Sequence, residues 1–153
     1  MGSDATRSLV VGAASLTTAL LWLPWQTLRV PTRHPSRLVA ELRLAQAAAV
    51  LLAFSAALVG GLSAAQDTIP GAGLDAAIAV VWCGLALMTL VRDASAALGW
   101  LAVGFAGRMA LDLLHLPGWL PGPVPAPHLT GSAVVNALAA ICCASPLVQR
   151  RYS

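Results

Sequence analysis

The chain has 153 residues, of which 58% are hydrophobic and only 10% are charged. A soluble domain usually carries about 25% charged residues, so this composition leaves too little polar surface for a water-soluble protein. It predicts an integral membrane protein whose first partner is the lipid bilayer. The net charge of +3 then needs no nucleic-acid partner, and we expect none.

Five apolar stretches are each close to the roughly 20 residues that a helix needs to cross a bilayer. They are continuous rather than alternating and rich in Ala and Leu, which favours helices over strands. We therefore expect an all-α, polytopic bundle that forms a single transmembrane domain over residues 1–153. The predicted helices are Leu9–Leu28, Leu44–Ser63, Leu74–Val91, Ala94–Leu116 and Gly131–Val148.

The first stretch has the position of a signal peptide but not its end. Leu20–Gln26 reads LLWLPWQ, which offers no pair of small residues for cleavage. We interpret the stretch as a retained helix, kinked at Pro24. Trp22 and Trp25 have the amphipathic side chains that are typical of a membrane interface.

Acidic residues lie near the starts of the next helices. Glu41, beside Arg37 and Arg43, is typical of a solvated ion pair at the membrane surface. Asp75 and Asp93 stand where helix capping and the helix dipole favour a carboxylate. These positions alone predict no catalytic role.

The fourth stretch, Ala94–Leu116, carries the most informative pattern. At about 100° per residue, its three polar residues, one tryptophan and one glycine lie within a sector of roughly 120° around the helix axis. The members of this stripe are Trp100, Gly104, Arg108, Asp112 and His115. Small residues on the opposite side, which let helices approach closely, are Ala102, Ala106 and Ala110. The two stripes together predict that this helix is central to the bundle.

The segment before the fifth helix, Pro117–Gly131, contains five prolines together with Trp119 and His128. Proline lacks an N–H and fixes φ, so we expect a stiff cap on the membrane surface and not a helix. Within the fifth helix, Asn136 lies among small residues. It predicts a hydrogen bond between helices, and the stripe on the fourth helix is within its expected reach.

The arginines indicate the topology. With five spans, only Arg7 falls on one side of the membrane, and seven arginines fall on the other. The seven are Arg29, Arg33, Arg37, Arg43, Arg92, Arg150 and Arg151. The positive-inside rule then places the N-terminus outside and the C-terminus in the cytoplasm. Abundant Ala, and Arg without Lys, suggest a GC-rich genome, and we expect a multi-pass protein of a bacterial inner membrane.

A charge inside a membrane span costs about 2.5 to 3.5 kcal/mol, so the stripe is the best candidate site. We expect a pocket facing the outer side that binds a lipophilic or anionic ligand or supports a membrane-embedded reaction. Arg suits bidentate recognition of anionic groups, and Asp112 or His115 suits proton transfer. The predicted ligand-binding residues are Trp100, Arg108, Asp112, His115 and Asn136.

Three alternatives share these residues. The Arg108–Asp112 pair would serve only packing in a non-catalytic accessory or assembly subunit of a larger membrane complex or in a homo-oligomer. Asp112, His115 and His128 would form a two-His-one-carboxylate metal site, or His115 and His128 would hold a haem. The sequence does not identify a cofactor or a reaction. It contains no P-loop, G-x-G-x-x-G after a strand, H-E-x-x-H or G-x-S-x-G motif, so ATP-driven and serine-hydrolase chemistry have no support.

Overall fold

The computed structural model of the chain describes residues 18–19, 21–64, 72–120 and 126–152. Over these ranges the protein is all-helical, with five helices. They are α1 (residues 21–29), α2 (Pro35–Ala64), α3 (Ala72–Thr89), α4 (Ala94–His115) and α5 (Ala126–Arg151). Half of the first predicted helix, most of the loop before α3, and the middle of the proline-rich cap lie outside these ranges.

Two helices begin earlier than the sequence predicts. α2 begins at Pro35 instead of Leu44, because a proline at the first helical position loses no hydrogen bond and its φ already suits a helix. The ring Nδ1 of His34 accepts the backbone N–H of Ser36 at 3.2 Å and so caps this helix. α5 begins at Ala126 instead of Gly131, since proline is tolerated in a first turn. The expected non-helical cap is therefore wrong for residues 126–130.

The start of α4 agrees with the prediction. Asp93 is its N-cap, and the carboxylate accepts the backbone N–H of Ala96 at 3.0 Å and the hydroxyl of Ser95 at 2.8 Å. The hydrogen bond from Ala96, with a smaller contribution from the hydroxyl of Ser95, holds the pKa of the exposed Asp93 carboxyl below its usual value. The cap is therefore lost only at a pH below that lowered pKa.

The helices run up and down, and α4 lies among the other long helices. α2 packs on α3 and α4 packs on α5, while α4 also contacts both α2 and α3. Leu52 on α2 and Leu98, Leu101 and Phe105 on α4 are completely buried at their junction. The predicted central position of the fourth helix is confirmed for the described part of the bundle.

Three of the helical segments are long and apolar enough to cross a membrane: Pro35–Gly61, Ala94–His115 and His128–Arg151. The segment Gly73–Thr89 is apolar but shorter. Large side chains on the outer faces, such as Phe54, Val80 and Ile141, are exposed. A soluble monomer rarely leaves wide apolar faces in water, so length and surface together suggest a membrane protein.

Two contacts show which ends of the helices lie together. The amide of Gln149 on α5 donates to the carbonyl of Leu28 on α1 at 3.3 Å, and Gly99 near the start of α4 lies against Leu147. The starts of α2 and α4 and the last turn of α5 therefore share one end, called the arginine end here. The end of α4 and the start of α3 lie at the opposite end.

α2 and α3 approach most closely at Gly60. A Cβ added there would lie 2.8 Å from the Cβ of Ala79, which can move only with its backbone. We expect Gly60→Ala to lower the free energy of unfolding by about 1–3 kcal/mol, measured by circular dichroism during SDS titration in mixed micelles. Gly61, which has open space around it, is the matched control. Gly61→Ala should be neutral or slightly stabilising, and equal losses in both variants would contradict the close approach.

Candidate functional site

Six polar side chains from three helices meet near the end opposite the arginine end. We call them the polar cluster: Asp75 on α3; Arg108, Asp112 and His115 on α4; and Ser132 and Asn136 on α5. The heptad-like spacing of Leu101, Arg108, Asp112 and His115 turns these residues toward the interior of the bundle. Arg108 is 4% exposed and Asp112 is 2% exposed, so the cluster is an internal feature of the bundle.

Asp112 is bound mainly by α5. Its Oδ2 accepts the hydroxyl of Ser132 at 2.7 Å and the amide of Asn136 at 2.9 Å. The same amide donates to the Ser132 hydroxyl at 3.2 Å, as four-residue spacing on one helix face allows. The predicted reach of Asn136 toward the fourth helix is present, and Asn136 and Ser132 together donate to the same carboxylate oxygen of Asp112.

Arg108 is less well paired than the sequence predicts. Its Nη2 lies 3.9 Å from the Oδ1 of Asp112, a separation that is too long for a hydrogen bond although the charges still attract. Its Nε has no hydrogen-bond partner among the described residues. A buried guanidinium with an unused donor is costly for the protein alone, and it is well suited to bind an oxygen atom of another molecule.

His115 pairs with an acidic residue that sequence reasoning did not assign to the site. Its Nε2 lies 3.1 Å from Oδ1 of Asp75, and its Nδ1 lies 2.8 Å from the carbonyl oxygen of Leu111. Asp75 is in the first turn of α3 as expected, but its side chain reaches across to α4. The antiparallel order of α3 and α4, which brings the start of one beside the end of the other, is the signal that identifies this pair.

A small cavity lies inside the polar cluster. Asp75, Arg108, Asp112 and His115 line it together with apolar side chains of Val59, Ile78, Leu111 and Leu129. Its free volume of about 10 Å³ is at the lower limit for one water molecule. The four ionisable groups therefore face a common space that is too small for any larger ligand in this conformation.

A larger cleft of about 360 Å³ runs between α2 and α5. Its walls are mainly apolar, with Phe54 and Leu58 on α2 facing Val135 on α5, and polar groups come from His128, Ser132 and Asn136. Val59 lines both this α2–α5 cleft and the small cavity. Val59, together with the contact between Asn136 of the cleft and Asp112 of the small cavity, therefore connects the walls of the two spaces.

Two predicted site residues lie elsewhere. Trp100 is 54% exposed on α4 and does not belong to the polar cluster. His128 is exposed at the cleft, away from Asp112 and His115. Within the described ranges, no three His, Cys, Asp or Glu side chains are placed to hold a metal ion. Among the described residues, the predicted set of Asp112, His115 and His128 is therefore not assembled as a metal site.

A second group of charges, of which Arg37 and Glu41 are buried, lies at the arginine end, and we call Arg37, Glu41 and Arg150 the arginine cluster. Glu41 is 0% exposed. It accepts Arg37 Nε at 2.8 Å and Arg150 Nε at 3.1 Å, and Arg150 Nη2 donates to its other oxygen. The prediction of a solvated pair at Glu41 is wrong, because Glu41 is buried and Arg150 on α5 also binds its carboxylate.

The arginine cluster also holds the end of α1. Nη1 of Arg37 donates to the carbonyl oxygens of Thr27 and, at 3.0 Å, of Val30. The last carbonyls of a helix have no partner within it, and a cation is favourable beside them. Nη2 of Arg37 has no hydrogen-bond partner among the described residues, but the other contacts of the cluster join α1, α2 and α5 and have the character of a structural clamp.

No protein-family model, curated protein or solved structure matches this chain. The proposals below therefore depend on the geometry of the polar cluster and the α2–α5 cleft.

Proposed function

We propose that the chain is a multi-pass protein of a bacterial inner membrane with five spans and its N-terminus outside. The arrangement of the arginines at one end of the bundle supports this topology, since the positive-inside rule places that end in the cytoplasm. The polar cluster then lies toward the outer side. The spans correspond to α2, α4, α5, the shorter α3 and a first helix that contains α1.

We further propose that the protein binds a lipophilic ligand with an anionic head group or an acceptor oxygen. The observation that carries this proposal is the buried guanidinium of Arg108, whose Nη2 lies 3.9 Å from Asp112 without a hydrogen bond, close to a cleft with apolar walls. Arginine is the side chain best suited to recognise carboxylate or phosphate groups. The head group would meet Asn136 and Ser132 first and Arg108 behind them.

The position of the α2–α5 cleft fits a ligand that arrives from the bilayer. Phe54 and His128 on its walls are exposed, so the cleft opens to the surface of the bundle. A hydrocarbon chain would lie against Phe54, Leu58 and Val135, while its head group turns toward the amide of Asn136. Binding sites of this kind combine apolar walls with a few convergent polar groups. Asp112 and His115 are the groups that would supply acid–base chemistry if the ligand is also a substrate.

The alternative is an accessory subunit in which the polar cluster serves only packing. The observation that favours it is the cross-linking of α4 to α5 through Asp112 and of α3 to α4 through Asp75 and His115. Interhelical hydrogen bonds of this kind stabilise membrane bundles. Under this alternative, a lipophilic probe has no preference for the α2–α5 cleft.

Photo-crosslinking with a diazirine-bearing palmitic acid in lipid nanodiscs separates the two functions. Wild type should be labelled at cleft residues such as Phe54, Leu58 and Val135. Gly131 lines the cleft, and nothing lies within 4 Å of a Cβ added there, so Gly131→Leu places a large side chain in the cleft. It should lower this labelling about tenfold, which corresponds to about 1.4 kcal/mol of binding free energy.

Gly84→Leu is the matched control, because Gly84 is also helical with open space around it but lies on α3, outside the cleft. It should label as wild type does. Palmityl alcohol with the same diazirine label has no charge. It should label the cleft less strongly than the palmitic acid probe if Arg108 recognises the head group. Labelling spread evenly over all outer faces, or unchanged by Gly131→Leu, would reject the ligand-binding proposal and favour the accessory subunit.

A further inference from the structure

Two buried atoms of opposite hydrogen-bonding character belong to residues that line the small cavity in the polar cluster. Nε of Arg108 can only donate, and Oδ2 of Asp75 can only accept when the carboxyl is ionised. Neither has a hydrogen-bond partner among the described residues, and both residues line the same cavity. Buried polar atoms in native proteins are nearly always bonded, either to protein or to ordered water.

The size of the cavity limits what can complete these two groups. Its free volume of about 10 Å³ matches one water molecule and excludes larger ligands. A water accepts one N–H and donates its own O–H, so a single molecule satisfies both Arg108 and Asp75. A buried water usually makes about three hydrogen bonds, and Asp112, which also lines the cavity, offers a carboxylate acceptor as a third partner.

We propose that the polar cluster is a proton-binding site in which His115 holds one proton against Asp75, and one bound water links this pair to Arg108. The water and the proton are two parts of one arrangement. The water completes the hydrogen bonds of the Asp75 carboxylate, and the proton gives that carboxylate a cationic partner.

The hydrogen bonds of His115 place the proton. Its Nδ1 lies 2.8 Å from the carbonyl oxygen of Leu111, which can only accept, so Nδ1 carries a hydrogen. Its Nε2 lies 3.1 Å from Oδ1 of Asp75. An unprotonated Nε2 and a carboxylate oxygen would face each other with lone pairs only, so a second hydrogen lies between them. The His115–Asp75 pair therefore holds one proton more than a neutral imidazole and a carboxylate contain.

The two helix ends favour the proton on His115 instead of Asp75. His115 is in the last turn of α4, where the helix dipole stabilises a cation. Asp75 is in the first turn of α3, where the dipole stabilises an anion. The pair is therefore an imidazolium facing a carboxylate, with both helix ends contributing in the same direction.

The net charge of the groups around the cavity also supports an extra proton on the His115–Asp75 pair. α2 and α5 contribute only Val59 and Leu129 to the cavity wall, α3 contributes Asp75 with Ile78, and α4 contributes the remaining charged groups and Leu111. Arg108 and Asp112 cancel, and so do protonated His115 and ionised Asp75. Loss of the proton would leave one net negative charge in an apolar enclosure, which is costly.

Nitrogen-15 NMR of histidine-labelled protein in nanodiscs tests the proton. The chain has three histidines, and His34 and His128 are exposed, so they serve as internal references after assignment with His34→Gln and His128→Gln. At a pH at which both references are neutral, His115 should still show the shifts of an imidazolium. A neutral His115 under these conditions overturns the proposal, and this test requires no variant of the cluster to fold.

Asp75→Asn supplies the second measurement. It should convert His115 to the neutral Nδ1–H form at that same pH, whereas retention of the imidazolium would overturn the pairing with Asp75. An experimental density map that resolves water should show one molecule within hydrogen-bond distance of both Arg108 Nε and Asp75, and an empty cavity would overturn the water site. Gly131→Leu should leave the His115 signal unchanged, so this inference can fail or stand independently of ligand binding in the cleft.

Discussion

Asp112→Leu should lower the free energy of unfolding by about 3–5 kcal/mol, the range found when one partner of a buried ion pair is removed. The substitution leaves Arg108 buried without its only nearby anion on α4. It also removes the acceptor that Ser132 and Asn136 share. SDS titration in mixed micelles, followed by circular dichroism, measures this loss.

Arg108→Leu combined with Asp112→Leu is the decisive comparison. The double variant contains no unpaired charge, and the Ser132–Asn136 hydrogen bond can persist. It should therefore recover most of the lost stability and retain a deficit of about 1–2 kcal/mol from the missing acceptor. A double variant that is no more stable than Asp112→Leu would contradict the electrostatic explanation.

The double variant also separates the two functional proposals. If Arg108 recognises a head group, the refolded double variant should lose the preference for palmitic acid over palmityl alcohol in the α2–α5 cleft. If the cluster serves only packing, the double variant should behave like wild type in every functional assay once its stability is restored.

Glu41→Leu is expected to cause a loss of similar size, about 3–5 kcal/mol. Glu41 is completely buried and is the shared acceptor of Arg37 and Arg150. Without it, Arg37 stays inside the bundle with only the carbonyls of Thr27 and Val30 as partners. The same SDS titration measures the effect, and the end of α1 should become the first part to loosen.

Two neighbouring arginines provide graded controls. Arg150 is 38% exposed, so solvent compensates for part of its contacts, and Arg150→Gln should cost about 1 kcal/mol or less. Arg43 is exposed, and Arg43→Gln should change the stability by no more than about 0.5 kcal/mol. A Glu41→Leu variant as stable as Arg43→Gln would show that the arginine cluster does not hold the helices together.

The helices and the interior stripe on α4 could be predicted because they depend on local periodicity. Arg108 and Asp112 recur at helical spacing within an apolar run, and the structure buries both. Asn136 followed from the same reasoning, since a lone amide among small residues needs a partner inside the bundle. The predicted ligand-binding set includes Trp100 because a sector of 120° is wide. Trp100 lies at the edge of that sector and is exposed.

The long-range pairs could not be predicted from the sequence. Asp75 meets His115 across a separation of 40 residues, and Glu41 meets Arg150 across 109. A hydropathy profile counts the charges of Arg37 and Glu41 as two separate costs. The predicted start of α2, at Leu44, is therefore later than the start in the structure, at Pro35. Their compensation comes from another helix, so only the three-dimensional arrangement shows it.

The alanine stripe explains the central position of α4 only in part. Ala102 packs against the core, but Ala106 and Ala110 are exposed. α4 is central because its other face, which includes Leu98, Leu101 and Phe105, is completely buried against its neighbours. Small residues allow close approach, but they do not specify which face a partner covers.

The arginine cluster also has a consequence for the order of events at the ribosome. Glu41 and Leu28 are synthesised early, but Arg150 and Gln149, which contact them, belong to the last turn of α5. Because chains emerge N-terminal part first, Glu41 leaves the ribosome before Arg150 is made, and until then Arg37 is the described cation that pairs with it. The contacts of α5 with Glu41 and Leu28 form only after α5 is made, so a chain truncated before residue 149 would insert its earlier helices without holding the end of α1.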